Sequence, residues 1–329
     1  MRKGIALLAF FAVSAGAQDV SRVYHFANTQ SPAGFQEVVN VFRTVGDLRT
    51  VSVDTANATL TAQGTADQMA LTDWLFPELD QPAGGPPPAN HIYTMTGTDG
   101  VVRIFHLAHA STSAQVQEII NVVRTALDIN RLFPVHGPGL LVVRGTADEA
   151  VLAEWLVSQL DVSKPTPGAP EQARQFLGVR DPEIRVVHLS HTDSPVALQE
   201  LTNILRTITD MNRVFPVQVA DVLVFRSSAD QVAFAEWLVG QLDQPAGQQG
   251  PAPHQQQLAA AWARSDSEAR VFYLTHADTA QAMMDIANAV RKTAKVPRIF
   301  TCGQVRAMAV RGSASQMEQA ASLIAELDK

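Results

Sequence analysis

A single cysteine, Cys302, stands among the 329 residues, so no disulfide can form within the chain and its stability must come from packing. An odd thiol in an exported protein can pair between chains. However, Val135 and Val217 hold the equivalent positions of two repeats described below, which reads Cys302 as a small apolar strand residue. Charge is sparse and of the wrong sign for nucleic acid or an anionic lipid surface: 17% of residues are charged and the formal net charge is −7. Long apolar runs are missing too. Ile5 to Val13 is shorter than the ~20 residues of a bilayer span, and no later stretch approaches that length. With Arg2 and Lys3 before it and Ala15-Gly16-Ala17 after it, residues 1–17 read as a secretory signal peptide, a buried N-terminal element being the alternative. No cysteine follows the cleavage site to carry a lipid anchor, so a soluble, still more acidic mature protein is expected in the periplasm or outside the cell.

Motifs of chemistry are scarce as well. There is no Gly-x-Ser-x-Gly elbow, phosphate loop, HExxH or cysteine cluster. Hence no enzyme activity, no cofactor and no metal are expected. His106 with His109, and His188 with His191, have a metal-like spacing, but they fall on strand-like sequence, where residues three apart point to opposite faces. A surface or edge role is expected for them.

What the chain has instead is repetition. The segments 22–80, 103–161, 185–243 and 270–328 align without a gap. Each opens with Arg and an apolar run (Arg22, Arg103, Arg185, Arg270) and closes on Leu-Asp at Asp80, Asp161, Asp243 and Asp328. Residues 81–102, 162–184 and 244–269 are rich in Pro, Gly, Gln and Ala. They read as extended, poorly packed linkers long enough to let modules move, with a short helix possible from Gln255 to Trp262.

Within a copy the apolar period changes from strand to helix and back. Val116, Ile119, Ile120, Val123 and Leu127 form a helical stripe behind the cap Thr112; Ser31, Ser194 and Thr279 are its counterparts, with Pro32 and Pro195 at the first helical position. A second helix starts after Thr65, Thr146, Ser228 and Ser313, each followed by a Gln or Glu three residues on, which predicts a capping box in every copy. Between the helices, Arg131–Val135 and Leu140–Arg144 flank His136-Gly-Pro-Gly and read as a strand pair. The expected fold class is α+β: four tandem β-α-β-β-α modules, each a three-stranded sheet under two helices. Modules of about 60 residues have a thin stability margin alone, so packing between neighbours or between chains is expected.

The apolar strand, the helix, the strand pair ending Leu-Val-Val-Arg-Gly-Thr-Ala-Asp-Glu and the helix closing Trp-Leu-Val-Ser-Gln-Leu-Asp resemble the repeated periplasmic N-terminal domains of the bacterial secretin family. The best-matching lines are 142–161 and 224–243. The resemblance covers all four copies. It implies a KH-like, ring-building fold, a periplasmic location, and roles in self-assembly or in docking on a secretion or pilus apparatus. No secretin pore domain of long alternating strands follows the last module in this sequence.

Two sets of repeated residues are candidates for contacts. Asn40, Asn121, Asn203 and Asn288 coincide, as do Arg43, Arg124, Arg206 and Arg291, and both border the apolar stripe of the first helix on one side. They could form a contact strip for a neighbour, or the Arg could lie on its own core and pair with a local carboxylate such as the closing Asp. Trp74, Trp155 and Trp237 lie about 100 degrees off the core direction of the second helix. They are expected to be partly exposed, packing on the following linker or module or on the margin of their own core; the fourth copy has Ser322 there. Ser52 likewise replaces Phe133 and Phe215 in the first copy, as expected if end modules present less apolar surface. The function expected is that of an exported scaffold or adaptor acting through protein contacts, with itself or with an envelope secretion or pilus component. The alternatives are a cell-wall or carbohydrate-binding array and, further off, KH-like nucleic-acid binding. Against the last, the GXXG spacings at Gly97 and Gly247 fall in linkers.

Overall fold

A computed structural model describes residues 19–82, 91–163, 172–175, 181–192, 194–245, 254–258 and 265–329. The expected signal peptide lies outside them. Module one runs β1 (Val20–His25), α1 (Pro32–Thr44), β2 (Thr50–Asp54), β3 (Thr59–Gly64) and α2 (Ala66–Leu79), with the antiparallel strand order β1-β3-β2. Module two repeats this as β5 (Val101–His106), α3 (Ser113–Leu127), β6 (Arg131–Val135), β7 (Leu140–Gly145) and α4 (Ala147–Leu160). Module three has β9 (Glu183–His188), α5 (Pro195–Thr209), β10 (Val214–Val217), β11 (Val222–Ser227) and α6 (Ala229–Leu242). Module four has β13 (Glu268–Tyr273), α7 (Ala280–Thr293), β14 (Arg298–Cys302), β15 (Ala307–Gly312) and α8 (Ala314–Leu327). The α+β class and the module order are therefore those read from the sequence.

The linkers differ from that reading. Each contributes a four-residue strand, β4 (His91–Thr94), β8 (Gln172–Gln175) or β12 (His254–Gln257), paired antiparallel to the first strand of the following module. Among the described residues, only module one keeps a three-stranded sheet; the other three have four strands. The edge of an isolated sheet offers a row of unpaired N–H and C=O groups, and the nearest extended segment satisfies them whatever its side chains. Gln255 to Gln257 are accordingly strand, not helix; the rest of that expected helix falls mostly outside the described residues.

Local signals fix the helices. Ser31, Thr112, Ser194 and Thr279 each accept a hydrogen bond from the backbone N–H three residues on. Full capping boxes close at Thr65, Thr146 and Ser313, but not at Ser228. There the Gln231 side chain takes the Ser227 and Ser228 hydroxyls and donates to the Thr209 carbonyl instead.

The closing aspartates latch each module. Asp161 accepts from the backbone N–H groups of Ala108, His109 and Ala110 at 2.6–2.9 Å. Asp80, Asp243 and Asp328 do the same for Ala27 to Thr29, Ser190 to Thr192, and Thr275 to Ala277. Each carboxylate thus ties the end of the second helix to the loop entering the first. Burial tends to raise the Asp328 pKa, but the three backbone donors and the Thr275 hydroxyl together bring it below the ordinary value.

Apolar clusters cross each boundary between modules. One cluster joins the module-one helices to Val102, Ile104, Val135, Leu140 and Val142 of module two. The next joins module two to Ile184, Val186, Val217, Val222 and Val224, and a third joins module three to Ala269, Val271, Cys302, Ala307 and Ala309. Each later sheet therefore lies between its own helices and those of the module before it. Strands β7, β11 and β15 are buried at every residue, whereas β3 alternates buried and exposed. The reason is in the side chains: Leu140, Val142 and Arg144 correspond to Thr59, Thr61 and Gln63 in module one.

Candidate functional site

Three sets of polar contacts recur wherever one module meets the next. The first is a buried arginine at the end of the Leu-Val-Val-Arg run. Arg144, 9% exposed, donates from Nη1 to the Val45 carbonyl at 2.8 Å and from Nε to the Asp99 carbonyl at 3.0 Å. Arg226 reaches Ala126 O at 2.6 Å and Asp181 O at 2.8 Å; Arg311 reaches Ile208 O at 2.9 Å and Asp266 O at 3.1 Å. Val45, Ala126 and Ile208 lie at the C-terminal end of a first helix, where carbonyls lack intrahelical partners and the helix dipole is negative, so a buried cation is well placed there. Burial lowers the pKa of both Arg226 and Arg311, and the neighbouring Arg213 or Arg298 lowers it further, while Asp128 with Asp181, or Asp266 with Asp210, works the other way.

The second set pairs an aspartate just past that helix with arginines of the following module. Asp47, Asp128 and Asp210 all stand in the left-handed region, φ 58–60°, a conformation Asp tolerates better than most residues. Arg213 meets Asp128 through two bonds of 2.9 Å, and Arg298 meets Asp210 at 2.8 Å and 2.9 Å. Arg131 lies 3.6 Å from Asp47 and 3.2 Å from Asp99. The buried arginines join in, Arg226 to Asp128 at 3.1 Å and Arg311 to Asp210 at 3.0 Å.

The third set is a glutamate on the first helix that receives the hairpin turn of the next module. Glu37 accepts from the backbone N–H of His136 at 2.9 Å, with the imidazole Nδ1 2.5 Å from its other oxygen. Glu118 accepts from the N–H of Gln218 at 2.8 Å and Glu200 from that of Gly303 at 3.0 Å. Carboxylate to backbone N–H bonds are charge-assisted and orient the turn as well as holding it.

The residues singled out from the sequence fall elsewhere. Arg43, Arg124, Arg206 and Arg291 each donate to a carbonyl of their own module, Val51, Leu132, Val214 and Ile299 respectively. They tie the first helix to the neighbouring strand of the same sheet; the closing aspartates, fully engaged with backbone N–H groups, are not their partners. Asn40, Asn121 and Asn203 accept from a glutamine one turn earlier, and Asn288 from Arg291. The tryptophans lie near the linkers. Trp74 is 5.3 Å from the Tyr93 ring on β4, and the Arg174 guanidinium on β8 sits 5.4 Å over Trp155. Trp155 is 8% exposed, more buried than its position on the wheel suggests, because the linker strand adds a wall to that side of the helix. Trp237 stacks at 5.5 Å on Phe234 of its own helix. His106 and His188 are half-buried at strand ends, and among the described residues no three His, Cys, Asp or Glu side chains converge for a metal. Cys302 is 3% exposed in the seam between modules three and four, and burial pushes its thiol up to about 11.

The seam arginines escaped the sequence reading because the partner lies about a hundred residues away. A signal was nevertheless present. Arg144, Arg226 and Arg311 align with Gln63 in the first module, and Asp47, Asp128 and Asp210 align with Lys295 in the fourth. The set that breaks the repeat at its ends is the set that joins one copy to the next.

No family model matches the chain, and no curated protein does. Among solved structures it is similar to Aeromonas hydrophila ExeD (18% identity over 69% of this chain and 42% of that one, TM-score 0.17). It is also similar to the N-terminal domain of the secretin XcpQ from Pseudomonas aeruginosa (15% identity, 65% and 76%, TM-score 0.23) and to the type II secretion system secretin GspD of E. coli K12 (16% identity, 71% and 40%, TM-score 0.16). The chain thus spans less than half the length of ExeD and of GspD.

Proposed function

We propose that the chain is a non-enzymatic scaffold or adaptor of the periplasm, working through protein contacts as part of, or docked on, an envelope secretion or pilus assembly. The observation that carries the reading is the threefold repetition of one seam. Its buried arginines and paired carboxylates are engaged in holding each module to the next, which gives an array of fixed spacing instead of separate binding units on loose linkers. The secretin-like pattern of all four copies supports the same reading. No helix among the described residues is long and apolar enough to cross a membrane.

The test is site-specific photo-crosslinking of the full chain expressed in its native cell. The crosslinker is placed at the exposed Val151 on α4 and at the exposed Val196, which stands at the mouth of the cleft between Glu200 and the Gly303 turn. Adducts of discrete mass with envelope proteins, together with failure of the purified chain to co-sediment with isolated cell wall, are the expected result. Co-sedimentation with protein-free cell wall and no protein adduct at either position would replace the scaffold with a wall-binding array.

A further inference from the structure

The seam has a direction. Each module offers the following one a helix face, and it offers the preceding one a sheet face. On the helix side, modules one to three present two buried aliphatic residues beside the accepting carbonyl (Val41 and Val45, Val122 and Ala126, Ile204 and Ile208), together with a glutamate and an aspartate. The same positions in module four are Ala289, Thr293, Asp285 and Lys295. Thr293 and Lys295 are exposed, and Lys295 keeps the left-handed backbone of its counterparts at φ 52° while reversing their charge. Asp285 is turned to its own helix, accepting from Gln281 at 2.8 Å.

The sheet side changes in the opposite module. Modules two to four present an apolar face and the two arginines. In module one the face carries Ser52, Asp54, Thr59 and Thr61, and Thr50 and Gln63 stand at the arginine positions. Val23 is the one large aliphatic residue left on it, 56% exposed. Placed in the geometry of the inner seams, the two outer faces oppose each other badly. Neither arginine is there to occupy the helix end, Lys295 replaces the acceptor, and Asp54 comes to the position near the first helix that Val135 holds in module two. Burying those polar groups without partners is unfavourable.

We infer that the seam residues form a directional pairing code which modules one and four do not complete, so that the chain closes its own array at four modules and copies of it do not add end to end through this surface. This deepens the scaffold reading and rests on it for its purpose: chain-to-chain association, where it occurs, uses surfaces other than the seam.

The experiment re-codes one end at a time. One full-length variant carries Ala289→Ile, Thr293→Ile and Lys295→Asp; the other carries Thr50→Arg, Ser52→Phe, Asp54→Val, Thr59→Leu, Thr61→Val and Gln63→Arg. Sedimentation velocity is run on each alone and on the equimolar mixture up to about 1 mM, the effective concentration that short linkers give the inner seams. The expected result is that neither re-coded end changes association when alone, while the mixture gains a one-to-one complex. Leaving Gln63 unchanged in the second variant is expected to weaken that complex at least tenfold.

Absence of pairing in the mixture by chains that keep wild-type circular dichroism would overturn the inference. So would wild-type oligomers that Lys295→Asp strengthens or Asp54→Val abolishes, since these would use the end faces. Should the second variant fail to fold, Lys295→Glu with Thr50→Arg in separate chains reads the same charge pairing with two surface changes. Loss of partner adducts in the crosslinking experiment leaves these outcomes untouched, so the two proposals fail separately.

Discussion

Replacing Arg226 with alanine isolates the contribution of one seam. The guanidinium is 4% exposed and donates to two carbonyls, one on each side of the seam, and to Asp128. A hydrogen bond from a charged donor is worth about 1.5–3 kcal/mol. Asp128 keeps its two bonds to Arg213 and is half exposed, so its share is small, within about 0–1 kcal/mol. Taking the lower figure for each carbonyl, since the buried cation also sheds a desolvation cost, the loss is about 3 kcal/mol. That is a large loss for modules of about 60 residues, whose stability margin alone is thin. Hydrogen-exchange mass spectrometry of the full-length chain reads it by location. Protection should fall on both sides of the seam, in the last turn of α3 and along β11, while modules one and four keep theirs. The partly exposed Arg213→Ala should change the same segments by about 1 kcal/mol or less. If Arg226→Ala deprotects module three alone, or if Arg213→Ala matches it, the buried arginine is a component of its own module and the seam argument fails.

Three further outcomes follow from the geometry. The Asp328 carboxyl has a folded-state pKa below its unfolded value, so its contribution is present above about pH 4 and is lost as the pH falls towards the folded value. Asp328→Asn should therefore destabilise module four at pH 7 and flatten its acid unfolding below about pH 4, followed by circular dichroism. Cys302, buried and with its thiol pushed up to about 11, should resist an aromatic disulfide reagent in the native chain and react when Arg311→Ala loosens its seam; prompt labelling of the wild type would contradict the buried placement. Arg124→Ala and Arg206→Ala, which each break a bond inside one module, should each cost about 1 kcal/mol in urea unfolding and leave the sedimentation of the full chain unchanged.

The amino-acid pattern alone determined the order of elements within a module and the helix starts. These are properties of residues a few positions apart: a Thr that caps the N–H three residues on, a Pro that fits only the first turn, an apolar stripe at helical spacing. It also hinted that the ends differ, through Ser52 and Ser322. Only the tertiary structure decided what the differences are for. Arg124 and Arg144 are both repeated arginines, and nothing local tells that one holds a strand of its own sheet while the other enters the helix end of the previous module. The linker strands were invisible for the same reason: His91 to Thr94 and Gln172 to Gln175 have little in common beyond a backbone, and the backbone is what the sheet edge pairs with. Which face of a sheet meets a distant helix depends on contacts between residues about a hundred positions apart, and local periodicity contains no information at that range.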